Sequence, residues 1–156
     1  MILYKTAATF FLFFICGLYA QPARPMLSQH AEVKQRIGLT DVSVSYHRPG
    51  VKNREIWGKL VPYNEIWRAG ANNATVIEFS DDVKVNGSFI KSGKYSFFIV
   101  PSPDSFQVIL NSEWDQWGSF FIDTAKNVLK FYVMPEKSSF CEWLTYCFDD
   151  INTYSA

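Results

Sequence analysis

After residue 30, hydrophobic and polar residues alternate in short runs, which is the pattern of half-buried antiparallel β-strands. The run "DVSVSYH" shows it most clearly, because Val42, Val44 and Tyr46 fall on one face and serines fall on the other. The run "GKYSFFIVP" is apolar on both faces, which predicts a central strand. Further strands are predicted at 73–80, 104–111, 127–135 and 140–148, and in the last of these Leu144, Tyr146 and Phe148 share a face.

Turn residues separate these runs. In "DDVKVNGSFI", Asn86 and Gly87 lie between two short β-like runs, and both residue types tolerate the positive φ that a type I′ hairpin turn needs. A second turn, preceded by another strand, is predicted in "QRIGLTDV". Residues 54–62 lack the alternation and predict one or two helical turns, whereas residues 113–120 predict a loop that carries two tryptophans.

Seven or more short strands with regularly spaced turns predict an all-β domain. We expect a single antiparallel β-sandwich, or a flattened barrel, over residues 31–156, with one short helical segment near 54–60 and a flexible tether at 21–30 before it. The last predicted strand, 140–148, is followed by a turn and no partner strand. The expectation is a domain that lacks a final strand and leaves an open edge; the alternative is a natural end in a frayed tail.

The N-terminus differs from the rest of the chain. Lys5 precedes the apolar run "TAATFFLFFICGLYA", and the small Ala20 precedes the polar segment "QPARP". These are the parts of a secretory signal peptide, and the run is shorter than the roughly 20 residues of a membrane-spanning helix. We expect a signal peptide at 1–20 and a periplasmic or extracellular protein. The alternative is an uncleaved anchor, through which alone the chain would contact a membrane.

Charge and cysteine content narrow the list of partners. The 15 basic and 15 acidic residues form no block of like charge, so nucleic acid is not an expected partner.

Two cysteines, Cys141 and Cys147, remain after removal of the signal peptide. Six extended residues span roughly 20 Å, whereas a disulfide requires Cα atoms within about 7 Å. We therefore expect Cys141 and Cys147 to be unpaired thiols that pack against neighbouring side chains.

The sequence contains no nucleophile elbow, P-loop, dinucleotide-binding glycine motif or zinc-protease motif. Imidazole comes only from His30, in the predicted tether, and His47, so a metal site built from three histidines is not expected. We predict no metal and no cofactor, and we favour a protein that is not an enzyme.

Basic, aromatic and amide residues concentrate around "EIWRAGANNAT", residues 65–75. Arginine provides a planar fork for carboxylate or phosphate, tryptophan provides a platform for a sugar or ring, and asparagine both donates and accepts hydrogen bonds. Together they are typical of a site for a small anionic or carbohydrate-like ligand. The candidate ligand-binding residues are Arg48, Arg54, Tyr63, Trp67, Arg68, Asn72 and Trp117.

The same residues also fit an ordinary corner of a β fold. Trp57 and Trp67 can close one end of a sandwich, and Gly70 can supply positive φ at a turn. Arg48 and Arg68 can bind loop carbonyls or pair with nearby glutamates. The structure has to decide between these two interpretations.

The ordered motifs from "SYHRPGVKNREIWGKLVPYNEIWRAGANNAT" through "WDQWGSF" to "VLKFYVMPE" resemble an uncharacterised family of secreted bacterial proteins, domain of unknown function 2911. The resemblance runs from Gln35 to the last residue. It implies a signal peptide and a β-rich domain, without an assigned activity. It also implies one further strand beyond the last residue. Because the family has Ser or Thr near position 47 and lacks Cys147, His47 would carry no family-wide role.

Three functional hypotheses follow from these observations. The first is a non-enzymatic module that binds a small anionic or carbohydrate-like ligand in a concave pocket. The second is an enzyme of unknown class, for example a hydrolase, that uses Tyr63 or Glu65 beside the arginines. The third is an envelope or matrix protein that associates with an unidentified protein partner, in which case a broad exposed apolar patch should replace the pocket.

The signal-peptide hypothesis predicts the start of the mature protein. Cleavage after Ala20 should give a chain that begins at Gln21, and intact-mass spectrometry of the protein from the exported fraction measures this directly. An exported chain that retains its first 20 residues would establish the uncleaved anchor instead.

Overall fold

The computed structural model describes residues 24–153 and residue 155, so the predicted signal peptide lies outside the described residues. The described part is all-β, with eight strands and a single turn of 3₁₀-helix at Thr124–Lys126. The strands are β1 (Gln29–Ile37), β2 (Thr40–Arg48), β3 (Thr75–Phe79), β4 (Val83–Val85), β5 (Ser88–Ile90), β6 (Gly93–Pro101), β7 (Phe106–Asn111) and β8 (Asn127–Val133). β1 begins at Gln29, so the last two residues of the predicted tether belong to the sheet.

Six of the strands form one antiparallel sheet in the order β1-β2-β3-β6-β7-β8. β1 and β8 are both edges, so the sheet does not close and the flattened-barrel alternative is wrong. β6 lies inside the sheet between β3 and β7, as its two apolar faces predict. β4 and β5 form a separate hairpin, in which Asn86 and Gly87 adopt φ of 46° and 77°; this confirms the predicted turn.

The larger part of the core covers one face of the sheet, which we call the covered face. Val42, Phe79, Tyr95 and Leu110 are buried there, and Ile90 of the β4–β5 hairpin packs onto them from above. The hairpin therefore forms part of a second layer, and the molecule is an uneven sandwich of one large sheet and a partial cover.

A smaller apolar cluster lies on the opposite face. It is built from Ala74, Phe98 and Ile109, with the partly buried Ile66 and Ile122 from neighbouring loops. Both faces of β6 are thus buried, because Phe98 points to this cluster while Tyr95 points to the covered face.

Residues 140–148 do not form the predicted strand. Residues 141–148 instead run as an extended segment, the C-terminal strap, which lies on the covered face and makes one isolated bridge between Trp143 and Gly50. Leu144, Tyr146 and Phe148 are partly buried while their neighbours are exposed, as the alternation predicts. The alternation arises because the strap packs flat against the covered face, and it does not require pairing at an edge.

The predicted helical segment near 54–60 is also wrong. Residues 56–60 form hydrogen-bonded turns, with Gly58 donating to the Val61 carbonyl at 2.9 Å. Gly58 adopts φ of 79°, outside the helical region, and the Tyr63 ring lies so close that a Cβ on Gly58 would meet it at 2.7 Å. Within residues 24–153, no helix is long and apolar enough to cross a membrane.

The burial of Phe98 gives a test of the fold. Phe98 is completely buried, so Phe98→Ala should lower the free energy of unfolding by about 3–5 kcal/mol. The matched control is Phe89→Ala, because Phe89 is 60% exposed and its loss should change stability by about 0.5 kcal/mol or less. Urea unfolding measures both, and equal losses for the two variants would contradict the described core.

Candidate functional site

The segment 65–75 passes along one end of the sheet. Trp67 exchanges two backbone hydrogen bonds with Ile99 of β6, at 2.8 and 2.9 Å. At this end of the sheet Trp67 is therefore the neighbour of β6, on the side where β3 pairs with the rest of that strand. The chain then turns through Ala69, with φ of 52°, and Asn72, with φ of 58°, before β3 begins at Thr75. This end of the sheet is where β2 and β6 finish and where β3 and β7 begin.

Gly70 has a different role from the expected one. The residues with positive φ in this turn are Ala69 and Asn72, and Gly70 is not among them. Gly70 is needed for space, because a Cβ there would meet the Thr75 Oγ1 at 2.9 Å and the His47 carbonyl at 3.2 Å. The glycine thus allows the turn to pack directly on the ends of β2 and β3.

Ala69 is held in its unfavourable conformation by two hydrogen bonds. Its carbonyl accepts from the Thr75 Oγ1 at 3.0 Å and from the Tyr146 hydroxyl at 2.7 Å. A left-handed backbone costs a non-glycine residue about 1–2 kcal/mol, which these bonds and the complete burial of Ala69 offset. Burial also raises the pKa of Tyr146 far above its ordinary value, so the hydroxyl stays protonated as a donor.

A cleft of about 640 Å³ opens at this end of the sheet, between the loop that follows β2, the turn after Trp67 and the start of the strap. Its walls carry Trp57, Trp67 and Trp143, and its cationic residues are Lys52, Arg54 and Arg68. No Asp or Glu lines the cleft in the part of the chain that the structure describes. The cleft is therefore an aromatic-walled, positively charged cavity.

Arg68 has the most unusual environment in the cleft. Its Nε is buried and has no hydrogen-bond partner among the described residues. Burial lowers the pKa of Arg68 from its ordinary value, and no described carboxylate lies within ion-pair distance of it. A buried, unsatisfied charged donor costs free energy, so Arg68 is the cleft arginine whose hydrogen-bonding capacity the described residues leave unfilled.

The other two candidate arginines already have partners within the protein. Arg54 lines the cleft, but its Nε donates to the Val51 carbonyl at 3.0 Å and its Nη2 to the Gly50 carbonyl at 2.6 Å. Arg48 lies outside the cleft lining and binds the strap, through the Leu144 carbonyl at 2.8 Å and the Thr145 Oγ1 at 2.8 Å. For these two residues the contacts match the structural interpretation.

The tryptophans of the cleft form part of an aromatic cluster. Trp57 and Trp67 meet edge to face with ring centroids 5.7 Å apart, and Trp57 also contacts Phe106 at 4.7 Å. The Trp67 Nε1 donates to the Gly70 carbonyl at 3.1 Å, which fixes the ring beside Arg68. Trp57 keeps 39% of its surface exposed, and Trp143 keeps 42%, so both present apolar area to the cleft.

Of the seven candidate residues, the structure brings Arg54, Trp67 and Arg68 to the cleft. Tyr63 packs over Gly58 instead. Asn72 donates from Nδ2 towards the Met26 Sδ at 3.3 Å, and Trp117 is 57% exposed in a separate loop. The remaining candidate, Arg48, binds the strap.

Sequence reasoning missed Trp143, Lys52 and the strap wall. Trp143 stands among the outward residues of the alternating segment, so the pattern assigned it to solvent. Its pairing with Gly50, through the bridge between strap and loop, is a contact across more than 90 residues that no local pattern reports.

Both cysteines are free, as expected, but both are exposed and not packed into the core. The strap explains this, because Cys141 and Cys147 stand on its outward positions, and the Cys141 thiol at the cleft donates to the Trp143 carbonyl at 3.1 Å. Within the described residues there is no group of three or more His, Cys, Asp or Glu side chains that could hold a metal ion.

The fold and the cleft together define an all-β protein with a cationic, aromatic-walled cavity at one end of its main sheet. The chain matches the model of the family described as Protein of unknown function (DUF2911) over residues 28–156, and it belongs to that family. This confirms the resemblance that the ordered motifs indicate. A search of curated proteins and a search of solved structures each find no match.

The hydrogen bond from Tyr146 to Ala69 can be tested separately from ligand binding. Tyr146→Phe keeps the ring and removes the hydroxyl, which should lower the free energy of unfolding by about 0.5–1.5 kcal/mol. Tyr132→Phe is the matched control, because Tyr132 is 68% exposed and its hydroxyl takes part only in a surface hydrogen bond, which it accepts from the Gln107 Nε2 at 2.8 Å. If urea unfolding shows the same small change for both variants, the hydroxyl of Tyr146 does not support the Ala69 turn.

Proposed function

We propose that the protein is a non-enzymatic module that binds a small anionic ligand in the cleft. The observation that carries this proposal is the buried Nε of Arg68, which lacks a partner among the described residues. Native proteins rarely leave such a donor unsatisfied, and a carboxylate or phosphate oxygen is its best acceptor. Arg68 lines the cleft, so the ligand's acidic group would bind its guanidinium there, after a rotation of the side chain that brings the Nε to the cleft surface.

The charge of the cleft supports an anion over a neutral or cationic ligand. Lys52, Arg54 and Arg68 contribute positive charge. The Glu142 carboxylate beside the lining, which accepts from the Lys52 backbone N–H at 2.9 Å, offsets one of these charges and leaves the balance positive. Because Arg68 is partly withdrawn from water, its attraction for an anion is stronger than that of an exposed arginine. Arg54 already uses two of its donors on loop carbonyls, so it adds mainly long-range attraction.

The aromatic walls indicate what else the ligand carries. Trp57 and Trp143 expose apolar surface at the cleft, which suits the flat face of a sugar ring or another compact apolar body. An acidic sugar, a sugar phosphate or an aromatic carboxylate combines both features. A bare inorganic anion would leave the tryptophans unused.

The enzyme hypothesis named two residues, and neither lines the cleft. Tyr63 and Glu65 are exposed, and Glu65 makes no ion pair with Arg68. Hydrolysis by general acid and base requires such a group within hydrogen-bond reach of the substrate. The binding hypothesis requires only Arg68, the positive charge of the cleft and its tryptophan walls. It is the hypothesis that the geometry supports best.

Protein association is the second candidate function, because one loop exposes large aromatic side chains. Trp117, Phe120 and Phe121 are 57%, 73% and 87% exposed. Exposed apolar groups in one stretch are typical of a contact surface. Export by the N-terminal signal remains part of the proposal and would place both functions outside the cytoplasm.

Ligand binding is tested by thermal unfolding of the full chain against a panel of sugar acids, sugar phosphates and aromatic carboxylates. A ligand at 100 times its dissociation constant stabilises the native state by about 2.7 kcal/mol. Arg68→Gln should weaken binding by about 10-fold or more, because it removes a charge-assisted hydrogen bond.

The matched control is Arg36→Gln, because Arg36 is an exposed arginine outside the cleft that pairs with Asp41 at 2.9 Å. It should leave ligand affinity unchanged. A ligand that stabilises the wild type and Arg68→Gln equally would contradict the proposed role of Arg68. No stabilisation by any acid in the panel would favour the association function.

A further inference from the structure

A second cavity, of about 300 Å³, lies on the face of the sheet opposite the strap. Its lining contains histidines and an aspartate, whereas the cleft is lined by lysine and arginine. His30 and His47 line it together with Met26 and Asp115. No Lys or Arg belongs to its lining among the described residues; Lys94 approaches the Trp114 ring, with Nζ 4.9 Å from the centroid. We call this cavity the histidine pocket.

The two histidines are placed by the pairing of β1 and β2. His30 lies directly opposite His47 in the antiparallel register, so their side chains leave the sheet on the same face. Their ring centroids are 5.4 Å apart and the ring planes are inclined by 74°. The chain has only two histidines, and the fold sets them side by side.

We propose that His30 and His47 form a two-imidazole site for a divalent transition-metal ion, such as Zn²⁺, Cu²⁺ or Ni²⁺. Imidazole is the side chain that these ions prefer. Metal–nitrogen distances are about 2.0–2.1 Å, so one ion binds both rings when a nitrogen of each turns towards the space between them. Met26 and Asp115 lie in the same pocket, and water would complete the coordination.

Two details of the pocket support an ion. The His30 Nε2 is hydrogen-bonded to the Ser45 Oγ at 2.9 Å, which orients the ring. In the tautomer in which Nε2 donates this bond, Nδ1 has the lone pair that a metal ion would bind. The facing register of β1 and β2 holds the two ring centroids 5.4 Å apart, so the fold itself brings both imidazoles to one place. Among the described residues no third His, Cys, Asp or Glu side chain joins these two in a ligand group, which predicts modest affinity.

The test is a calorimetric titration of the full chain with Ni²⁺ and Zn²⁺, in a background in which Cys16, Cys141 and Cys147 are changed to serine so that no thiol competes for the metal. We expect one ion per chain, and His30→Ala and His47→Ala should each weaken binding by about 10-fold or more. Asp41→Asn, a carboxylate change at the far end of the same strand pair, should have no effect.

NMR of the imidazole nitrogens gives a second measurement that needs no histidine variant. Saturating Zn²⁺ should shift the signals of both histidines together, since one ion contacts both rings. Shifts confined to one histidine, or an affinity unchanged by His47→Ala in a folded protein, would overturn the proposal. No binding of either metal by a protein with the native circular dichroism spectrum would overturn it as well.

Discussion

The carbonyl group of Ala69 is the point on which the functional end of the molecule depends. It accepts hydrogen bonds from Thr75, at the start of β3, and from Tyr146, in the strap. These bonds tie the turn to the start of β3, six residues later, and to the strap, 77 residues later. They keep Ala69 in a left-handed conformation that an isolated peptide would avoid. Arg68 and Gly70 flank this residue, so the same contacts fix the position of the unsatisfied arginine in the cleft.

The strap turns an open sheet into a sandwich with a cavity. Its inward residues cover the sheet, with the Tyr146 ring 4.7 Å from Tyr46 and 6.0 Å from Phe97, while its first residues leave the sheet to form one wall of the cleft. The burial of the covered face and the formation of the cleft are therefore coupled, because the strap covers the apolar face and also forms a wall of the cleft. A ligand held between the strap and the Arg68 turn would contact elements whose packing stabilises the whole covered face.

The cleft and the histidine pocket lie on opposite faces of the sheet and are lined by side chains of different charge. The cleft gathers arginine, lysine and tryptophan where the loops meet, whereas the histidine pocket forms on the opposite face from residues of β1, β2 and a later loop. Net charge hides this separation, since basic and acidic residues are equal in number. In our proposals the local field of each cavity would select its ligand, and that field is set by the few groups withdrawn from water.

Local pattern was sufficient for the strands, the Asn86–Gly87 turn and the family, because period-two alternation and turn residues act over a few neighbouring positions. It also found Arg68 and Trp67, which lie in the segment with the densest chemistry. The alternation of residues 140–148 indicates which side of this segment is buried, but it does not indicate which part of the protein covers that side. The strap was therefore mistaken for an edge strand. Only the tertiary structure decided that Trp143 joins the cleft, that Arg48 and Arg54 are engaged by carbonyls, and that His30 faces His47. Each of these depends on contacts between distant parts of the chain, whose energies are set by packing and burial and leave no local signature.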